Sequence, residues 1–265
     1  MFEGVLYFKS DNHGPVMSSS ENVTPLFHDL AKLESDHRVV CQDCSLYRLC
    51  LPLGLHNNDL ARLDKIIKRS KSYKRGQPLF STDSAFKSLY VVRSGSFKTT
   101  ISASDGREQV TGFYFPGEFI GLDAIHEQEY NSNAKALESS TVCELPYDNL
   151  QELGQEMPQL QLQLLSRLSK ELSGDKGLML LLGKKSAEEK LATYLLSLSK
   201  RFKERGFSAT DFQLSMSRGD IGNHLGLAVE TVSRLFSRFQ EEGLIVITGK
   251  SISIQDMEKM ENLCK

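Results

Sequence analysis

Three cysteines lie close together near the start of the chain, and a fourth lies far downstream. The segment CQDCSLYRLC contains Cys41, Cys44 and Cys50, and Cys143 follows much later. Four thiolates form the ligand set of a tetrahedral zinc ion and also of an iron–sulfur cluster. Cys41 and Cys44 can face one centre from a tight turn, whereas Cys50 must come round on a loop and Cys143 must arrive by folding. A shared site would therefore tie the N-terminal segment to a distant part of its domain.

The spacing leaves several chemistries open. Structural zinc sites usually combine two closely spaced cysteine pairs, and this chain has only one such pair. An iron–sulfur cluster accepts four cysteines at such spacings, and redox-responsive or simply buried thiols are further alternatives. A disulfide framework is disfavoured because no secretory signal is visible. Spacing alone does not choose between zinc, a cluster and redox thiols.

Composition restricts the class of protein. The chain has 265 residues, of which 40% are hydrophobic and 25% charged, so we expect two folded units and no membrane partner. The formal net charge of −2 means that nucleic-acid binding would need a local basic face. Five cysteines without a signal peptide favour the cytoplasm. We find no nucleotide-binding loop, no nucleophile–base pair and no second cluster motif, which argues against an enzyme or an electron carrier.

The first two-thirds of the chain change pattern twice. Residues 1–37 show no sustained periodicity and are predicted to be a mobile arm. A short amphipathic helix follows the cysteines, with Asn57 or Asn58 as its cap. From Tyr73 to about Leu150, short apolar runs alternate with glycine turns, which predicts a small antiparallel sandwich or roll with Cys143 in its last strand. Residues 38–156 are therefore predicted to form one domain that contains the cysteine loop and the β-roll.

A long helix is predicted over residues 157–185, after the Met157–Pro158 step. It carries a seam with spacings of three and four, which is typical of a dimerising coiled coil. The seam positions are Leu165, Leu168, Leu172, Asp175, Met179 and Leu182. In a parallel dimer two Asp175 carboxylates would approach each other, and like charges at an interface are unfavourable. We interpret Asp175 as holding the dimer near its balance point; a kinked seam at Gly174 and Gly177 is the alternative.

Residues 186–265 have the pattern of a winged helix-turn-helix domain. Ser217 with Asp220 forms a capping-box pair, Gly226 marks the turn, and a second helix is predicted from about Ala228 to Glu241. A wing follows, with its turn at Gly249–Lys250.

The second helix of this motif presents a polar outward face made of Glu230, Ser233, Arg234 and Arg238. Arginine can bind guanine in a bidentate manner, glutamate can accept from cytosine, and serine can bond to a base or a phosphate. A surface ion pair between Glu230 and Arg234 in a plain helical bundle is the alternative. The wing and the dimer seam favour DNA.

At this point the chain resembles the FNR regulators, the oxygen-sensing branch of the cyclic-AMP-receptor superfamily, from Cys41 to about Ile254. The matching motifs, in order, are CQDCSLYRLC, TGFYFPGEFIGLDAI, ALESSTVCELP, LLLGKKSAEEKLA and GDIGNHLGLAVETVSR. We therefore predict an α+β chain with a cysteine loop on an antiparallel β-roll of the cyclic-nucleotide-binding type. A long dimerisation helix and a C-terminal winged helix-turn-helix domain would follow.

The resemblance implies a function and a set of site residues. It implies a [4Fe-4S] cluster on Cys41, Cys44, Cys50 and Cys143, a homodimer that binds an inverted-repeat promoter site in double-stranded DNA, and action with RNA polymerase. It implies that oxygen converts the cluster and releases the dimer. Glu230, Ser233 and Arg234 match the family's base-reading motif, and Asp175 matches its seam aspartate. A zinc- or thiol-redox-dependent transcription factor of the same superfamily is the alternative.

Two features depart from the superfamily patterns. Cys264 is an additional cysteine, which we expect to be solvent-exposed. The segment GLDAIHEQEYNSNAKALE lacks the arginine with which the cyclic-nucleotide branch binds its ligand, so we predict no cyclic-nucleotide binding.

Overall fold

The computed structural model describes residues 40–69 and 72–264. The predicted mobile arm, residues 1–37, lies outside the described residues. From residue 40 onward the described chain belongs to one compact unit, so the domain boundaries at 38–156, 157–185 and 186–265 stay predictions.

Two four-stranded antiparallel sheets form the predicted β-roll. One sheet has the order β1-β8-β3-β6 and the other β2-β7-β4-β5. The strands are β1 (Lys68–Arg69), β2 (Pro78–Phe80), β3 (Ser88–Ser94), β4 (Phe97–Ser102), β5 (Glu108–Tyr114), β6 (Phe119–Ile120), β7 (Asn133–Ala136) and β8 (Thr141–Pro146). Many short strands with glycine turns between them predicted this architecture, and the prediction is confirmed.

The turn at Gly95 carries the chain from one sheet to the other. Gly95 has φ of +72°, and a Cβ there would lie 2.2 Å from the Ser140 Oγ. Only glycine tolerates both the left-handed backbone and this close approach. The β4–β5 hairpin, by contrast, stays within one sheet and turns at Gly106.

Aromatic side chains fill the interior of the roll. The rings of Phe80 and Tyr130 stack with centroids 3.8 Å apart, and Phe86 packs edge-on against Tyr130. Phe97 and Leu89 are fully buried in the same core.

Three helices flank the roll: α1 (Asn57–Ile66), α2 (Tyr147–Glu156) and α3 (Pro158–Lys184). The predicted asparagine cap of α1 is wrong, because Asn57 already lies inside the helix and His56 is the N-cap residue. Helix α2 was not predicted. Helix α3 starts with proline in its first turn, as expected, and continues through Gly174 and Gly177 without a break.

The C-terminal part contains α4 (Ala187–Glu204), β9 (Asp211–Gln213), α5 (Arg218–Leu225), α6 (Val229–Glu241), β10 (Ile245–Thr248), β11 (Ser251–Ile254) and α7 (Met257–Asn262). The three strands form a small sheet in the order β10-β11-β9. The core of this part also includes Val110 and Phe113 of β5, so the roll and the C-terminal part share apolar contacts. In the described ranges, no helix combines the length and apolarity needed to span a bilayer.

Candidate metal centre and nucleic-acid interface

Two short 3₁₀ turns, Cys41–Asp43 and Tyr47–Leu49, shape the cysteine segment into a loop. Backbone hydrogen bonds hold each turn, such as Cys44 N–H to the Cys41 carbonyl at 3.4 Å and Tyr47 N–H to the Cys44 carbonyl at 2.9 Å. The loop therefore curves back on itself, and its three cysteines are all half-buried.

Cys143 meets this loop from the sheet. It lies in the middle of β8, opposite Val91 of β3 and Arg69 of β1. Along the strand, Val142 is buried in the core, whereas Glu144 on the other side of Cys143 is only half-buried. The four predicted ligands, Cys41, Cys44, Cys50 and Cys143, all line one small cavity of about 30 Å³. The structure thus brings together the cysteines that the sequence separates.

Burial dominates the electrostatics of these thiols. It raises the pKa of Cys50 to about 12, and it raises the pKa of Cys41 and Cys143 above their ordinary value. Taking a thiolate out of water is unfavourable unless positive charge compensates for it. A cation bound by the sulfurs would supply that compensation.

Asp64 of α1 fixes the beginning of the loop. Its Oδ1 accepts the backbone N–H of Cys41 at 2.9 Å and is paired with the Arg69 guanidinium. Burial by itself raises the pKa of Asp64, but the Cys41 N–H and Arg69 outweigh it and hold the pKa below its ordinary value. The carboxylate is therefore an anionic anchor for the first cysteine.

A single metal ion needs its ligands to converge on one point. In residues 40–69 and 72–264, no three His, Cys, Asp or Glu side chains are arranged to hold one ion. Zinc requires sulfurs at about 2.3 Å from a common centre. In a [4Fe-4S] cluster each cysteine binds a different iron, so the four sulfurs stand further apart.

The helix-turn-helix is formed by α5 and α6. The Ser217 side chain accepts the Asp220 backbone N–H, and the Asp220 carboxylate accepts the Ser217 N–H, which completes the predicted capping box. Gly226 ends α5 in the left-handed conformation with φ of +62°. Val232 and Phe239 of α6 are fully buried, so the helix is held with one fixed face outward.

The predicted base-reading residues, Glu230, Ser233 and Arg234, all lie exposed on the outer face of α6. Glu230 and Arg234 make no ion pair within the described structure, so the alternative that they simply pair with each other is not favoured. Arg238 differs, because it binds Glu188 at 3.0 Å and Glu242 at 2.7 Å. The free face of α6 is therefore centred on its first two turns.

The predicted seam lies along α3. Leu165, Leu172 and Met179 are 60%, 57% and 73% exposed, which leaves a stripe of large apolar side chains repeating every seven residues. Leu168 is half-buried against the roll, Leu182 is half-buried, and Asp175 is exposed beside the stripe.

A polar junction between the roll and α5 was not predicted. Asn223 Nδ2 donates to the Glu108 carbonyl at 2.7 Å, and Lys98 Nζ binds Asp220 at 2.5 Å. The His224 Nδ1 lies 3.0 Å from the Val110 carbonyl oxygen. These pairs are more than a hundred residues apart in sequence, so no local pattern could have revealed them.

The expectation that Cys264 is solvent-exposed is wrong. Its thiol is half-buried, accepts a hydrogen bond from Thr193 Oγ1 at 3.4 Å and lies 3.4 Å from the Met260 carbonyl. Helix α7 carries it back onto α4, far along the chain from the cysteine loop.

Comparison with known proteins identifies the family. Residues 70–157 match the family of cyclic nucleotide-binding domains, and residues 189–263 match the Crp-like helix-turn-helix domain. The chain is 49% identical over 225 residues to the transcriptional activator protein Anr of Pseudomonas protegens, covering 85% of this chain and 92% of that protein. It is 47% identical over 223 residues to the fumarate and nitrate reduction regulatory protein of Escherichia coli K12, covering 84% and 89%.

The chain belongs to the FNR branch of the CRP–FNR family of transcriptional regulators. The resemblance read from the motifs is thereby confirmed. The solved structure of FixK2 from Bradyrhizobium japonicum is similar to this FNR-branch chain with a TM-score of 0.70 at 29% identity, covering 76% of this chain and 98% of that one. The predicted fold class is confirmed by the same comparisons. Because its relatives are named regulators and it carries a Crp-like DNA-binding domain, the chain is a transcriptional regulator and not an enzyme.

Proposed function

We propose that this chain is an oxygen-responsive transcription regulator in which a [4Fe-4S] cluster on Cys41, Cys44, Cys50 and Cys143 promotes dimerisation and DNA binding without oxygen. The observation that carries the proposal is that these four cysteines, from a loop and a distant strand, line one small cavity. The names of the relatives agree with this function. Fumarate and nitrate are electron acceptors that replace oxygen, and the E. coli relative is named for their reduction.

The residues of the cavity fit the cluster. Four thiols are the donor set of a [4Fe-4S] cluster. Because the pKa values of these thiols are raised, the cysteines stay protonated until cationic iron binds and stabilises their thiolates. When bound, the cluster supplies a centre that reacts with oxygen. The protein's part is to hold the loop 41–50 against β8, so that the sulfurs of both segments are fixed together.

The proposed dimer uses the exposed stripe of α3. Leu165, Leu172 and Met179 repeat at the seven-residue period of a coiled coil, and a second copy of the same helix would bury all three. Covering side chains of this size stabilises association by ~1.5–3 kcal/mol each before the cost of ordering is subtracted. Asp175 opposes the association, because two copies would bring like charges together.

The proposed DNA site follows from the dimer. Two copies of α6, related by a two-fold axis and separated by about one helical turn (~34 Å), would read an inverted repeat. Arg234 and Glu230 supply a bidentate donor and an acceptor for base edges, and Ser233 supplies a hydroxyl. One half-site bound by a monomer would be too weak to hold a promoter. RNA polymerase is the proposed partner on that promoter, and the cytoplasm is the proposed location.

We propose further that no cyclic nucleotide binds in the roll. The Phe80 and Tyr130 rings fill its interior, and a Cβ on Gly121 would lie 3.1 Å from the Tyr130 ring. The segment after Gly121 also lacks an arginine to pair with a cyclic phosphate.

The decisive experiment is purification under strictly anaerobic conditions. We expect a brown protein with iron and acid-labile sulfide that retards an inverted-repeat DNA fragment in a gel-shift assay, and loss of both properties on exposure to air. A colourless protein that contains zinc, or one whose DNA binding responds to diamide instead, would favour the zinc or thiol-redox alternative.

The matched test uses two cysteine variants. Cys143→Ser should abolish iron loading and anaerobic DNA binding, whereas Cys264→Ser should keep both, because the Cys264 thiol lies just after α7 and does not line the cavity. A full iron and sulfide content in Cys143→Ser would show that Cys143 is not a ligand.

A further inference from the structure

One side chain of α3 reaches the cysteine loop. The Arg167 guanidinium donates from Nη2 to the backbone carbonyl oxygen of Cys50 across 3.3 Å. Within the described residues, no other hydrogen bond joins the loop 41–50 to α3. Its acceptor belongs to the peptide group of a proposed ligand residue, so any displacement of Cys50 displaces the acceptor of Arg167.

Arg167 is held in an unusual environment. It is half-buried on the side of α3 on which Leu164 and Leu168 pack against the roll. It lines a cavity of about 530 Å³ between β5, α3 and α4, and its buried Nε has no hydrogen-bond partner in the described structure. An unsatisfied buried donor is costly and is rare in native proteins. Among the described residues, the Cys50 carbonyl oxygen is the acceptor to which the half-buried Arg167 guanidinium donates.

The loop is fixed differently at its two ends. Its beginning is held by Asp64 of α1 through the Cys41 N–H. Its end packs on the β5–β6 turn, where a Cβ on Gly117 would lie 2.8 Å from the Leu49 Cβ. Because the beginning of the loop is bound to α1, a rearrangement of the loop would affect α3 through its other end, at Cys50.

The position of Arg167 on α3 gives this contact a consequence. Successive helical residues are about 100° apart, so Arg167 lies roughly opposite the stripe that contains Leu165 and Leu172. A change in the hydrogen bond between Arg167 and Cys50 would therefore change the direction in which that stripe faces. We propose that Arg167 is the positioning residue through which the state of the cysteine site sets the orientation of the α3 seam. The inference rests on the proposed function, because it supposes that the cysteines bind a cluster and that the seam dimerises.

The test compares the coupling between the two events in full-length variants. Arg167→Met keeps the aliphatic stem and removes the donors, Arg167→Lys keeps a cationic donor, and Lys170→Met is the control. Lys170 is an exposed cation one turn further along α3, paired only loosely with Glu204 at 3.7 Å. For each protein, iron and sulfide per chain are assayed. The dimer dissociation constant is then measured by sedimentation velocity in the anaerobic loaded form and in the cluster-free form.

We expect Arg167→Met to load as much iron as the parent while the ratio of its two dissociation constants falls about tenfold, the effect of one hydrogen bond to a charged group. Arg167→Lys should restore most of the ratio, and Lys170→Met should leave it unchanged. A merely structural role would shift both dissociation constants equally and leave their ratio intact.

Three results would overturn the inference. The first is an unchanged ratio of dissociation constants in Arg167→Met, and the second is an equal fall of that ratio in Lys170→Met. The third is loss of iron from Arg167→Met, because Arg167 would then be needed for the structure of the ligand loop and would not transmit its state. A parent protein without iron and sulfide, or with equal dissociation constants in its two forms, would instead sink the proposed function. That result is visible before any variant is compared.

Discussion

The ion-pair network of Glu118 joins the roll to the C-terminal part and gives the most direct prediction. Glu118 Oε1 accepts from Arg201 Nε at 2.9 Å and from Arg205 Nη2 at 2.6 Å, and Oε2 accepts the Phe115 N–H at 3.0 Å. The Arg205 side chain is only 4% exposed, and the Glu118 side chain is 22% exposed. Glu118→Gln removes the charge and leaves the two guanidinium groups of α4 and its C-cap without their carboxylate.

The size of the effect follows from this burial. Breaking a buried ion pair from one side costs about 3–5 kcal/mol. Partial exposure of Glu118 and retention of one amide oxygen reduce that figure, so we expect Glu118→Gln to lower the free energy of unfolding by ~2–3 kcal/mol. With a urea dependence of ~1–3 kcal/mol per molar, the midpoint should fall by about 1 M.

The assay is urea unfolding of cluster-free protein followed by far-UV circular dichroism. Glu204→Gln is the control, because Glu204 lies on the same helix and forms only a loose, solvent-exposed pair with Lys170. That change should cost less than ~0.5 kcal/mol. If Glu118→Gln proved no more destabilising than Glu204→Gln, the network would not stabilise this junction.

The pH dependence provides a second check on Glu118. Burial by itself raises the pKa of this carboxyl, but Arg201 and Arg205 outweigh it and hold the pKa below the ordinary value of 4.5. The unfolded chain therefore binds the proton more tightly than the folded one, and the stabilisation is complete above pH 4.5 and lost as the pH falls through the lowered pKa. The stability gap between parent and Glu118→Gln should stay constant near neutrality and narrow on acidification; a gap that widened would refute the assignment.

Three further predictions concern helix α3 and the exposed face of α6. Asp175→Ala should raise the dimer fraction in air, because it removes the like-charge contact, whereas the exposed Lys176→Ala should not; sedimentation in air that gave equal dimer fractions for parent and Asp175→Ala would contradict the seam argument. Arg234→Ala should cost ~1–3 kcal/mol at one base position and relax specificity there, measured by gel shift against a panel of single-base operator variants, and a uniform loss across the panel would indicate a phosphate contact instead. Burial, reinforced by Asp123 and Asp175, raises the pKa of Glu171 from 4.5 to about 7, so its folded form binds the proton more tightly and stability falls as the pH rises through that interval. Glu171→Gln should therefore gain stability relative to the parent above this pKa, as read from urea midpoints, and a gain that did not grow with pH would count against it.

Local signals in the sequence predicted several elements correctly. The capping box Ser217–Asp220 marks the start of α5, since the interacting groups are only three residues apart. Helix α2 was not predicted because its start carries no capping signal. Its N-cap residue, Pro146, makes no side-chain hydrogen bond, and the helix follows strand β8 directly. The cap of α1 was misplaced for a similar reason, because His56 makes no side-chain cap bond either.

The sequence by itself determined the types of chemistry that this protein can carry: four cysteines, an apolar seam interrupted by Asp175, and a polar face on the second helix of a helix-turn-helix. These features depend on residue type and on spacings of a few residues. The periods of the helix and the strand determine directly which of these residues lie on the same face. The tertiary structure alone decided which distant groups meet: Cys143 with the loop, Glu118 with α4, and Arg167 with the Cys50 carbonyl. The physical reason is that such contacts form only when the two sheets and the helices pack together. The local periodicity of the sequence does not specify which distant residues then come into contact.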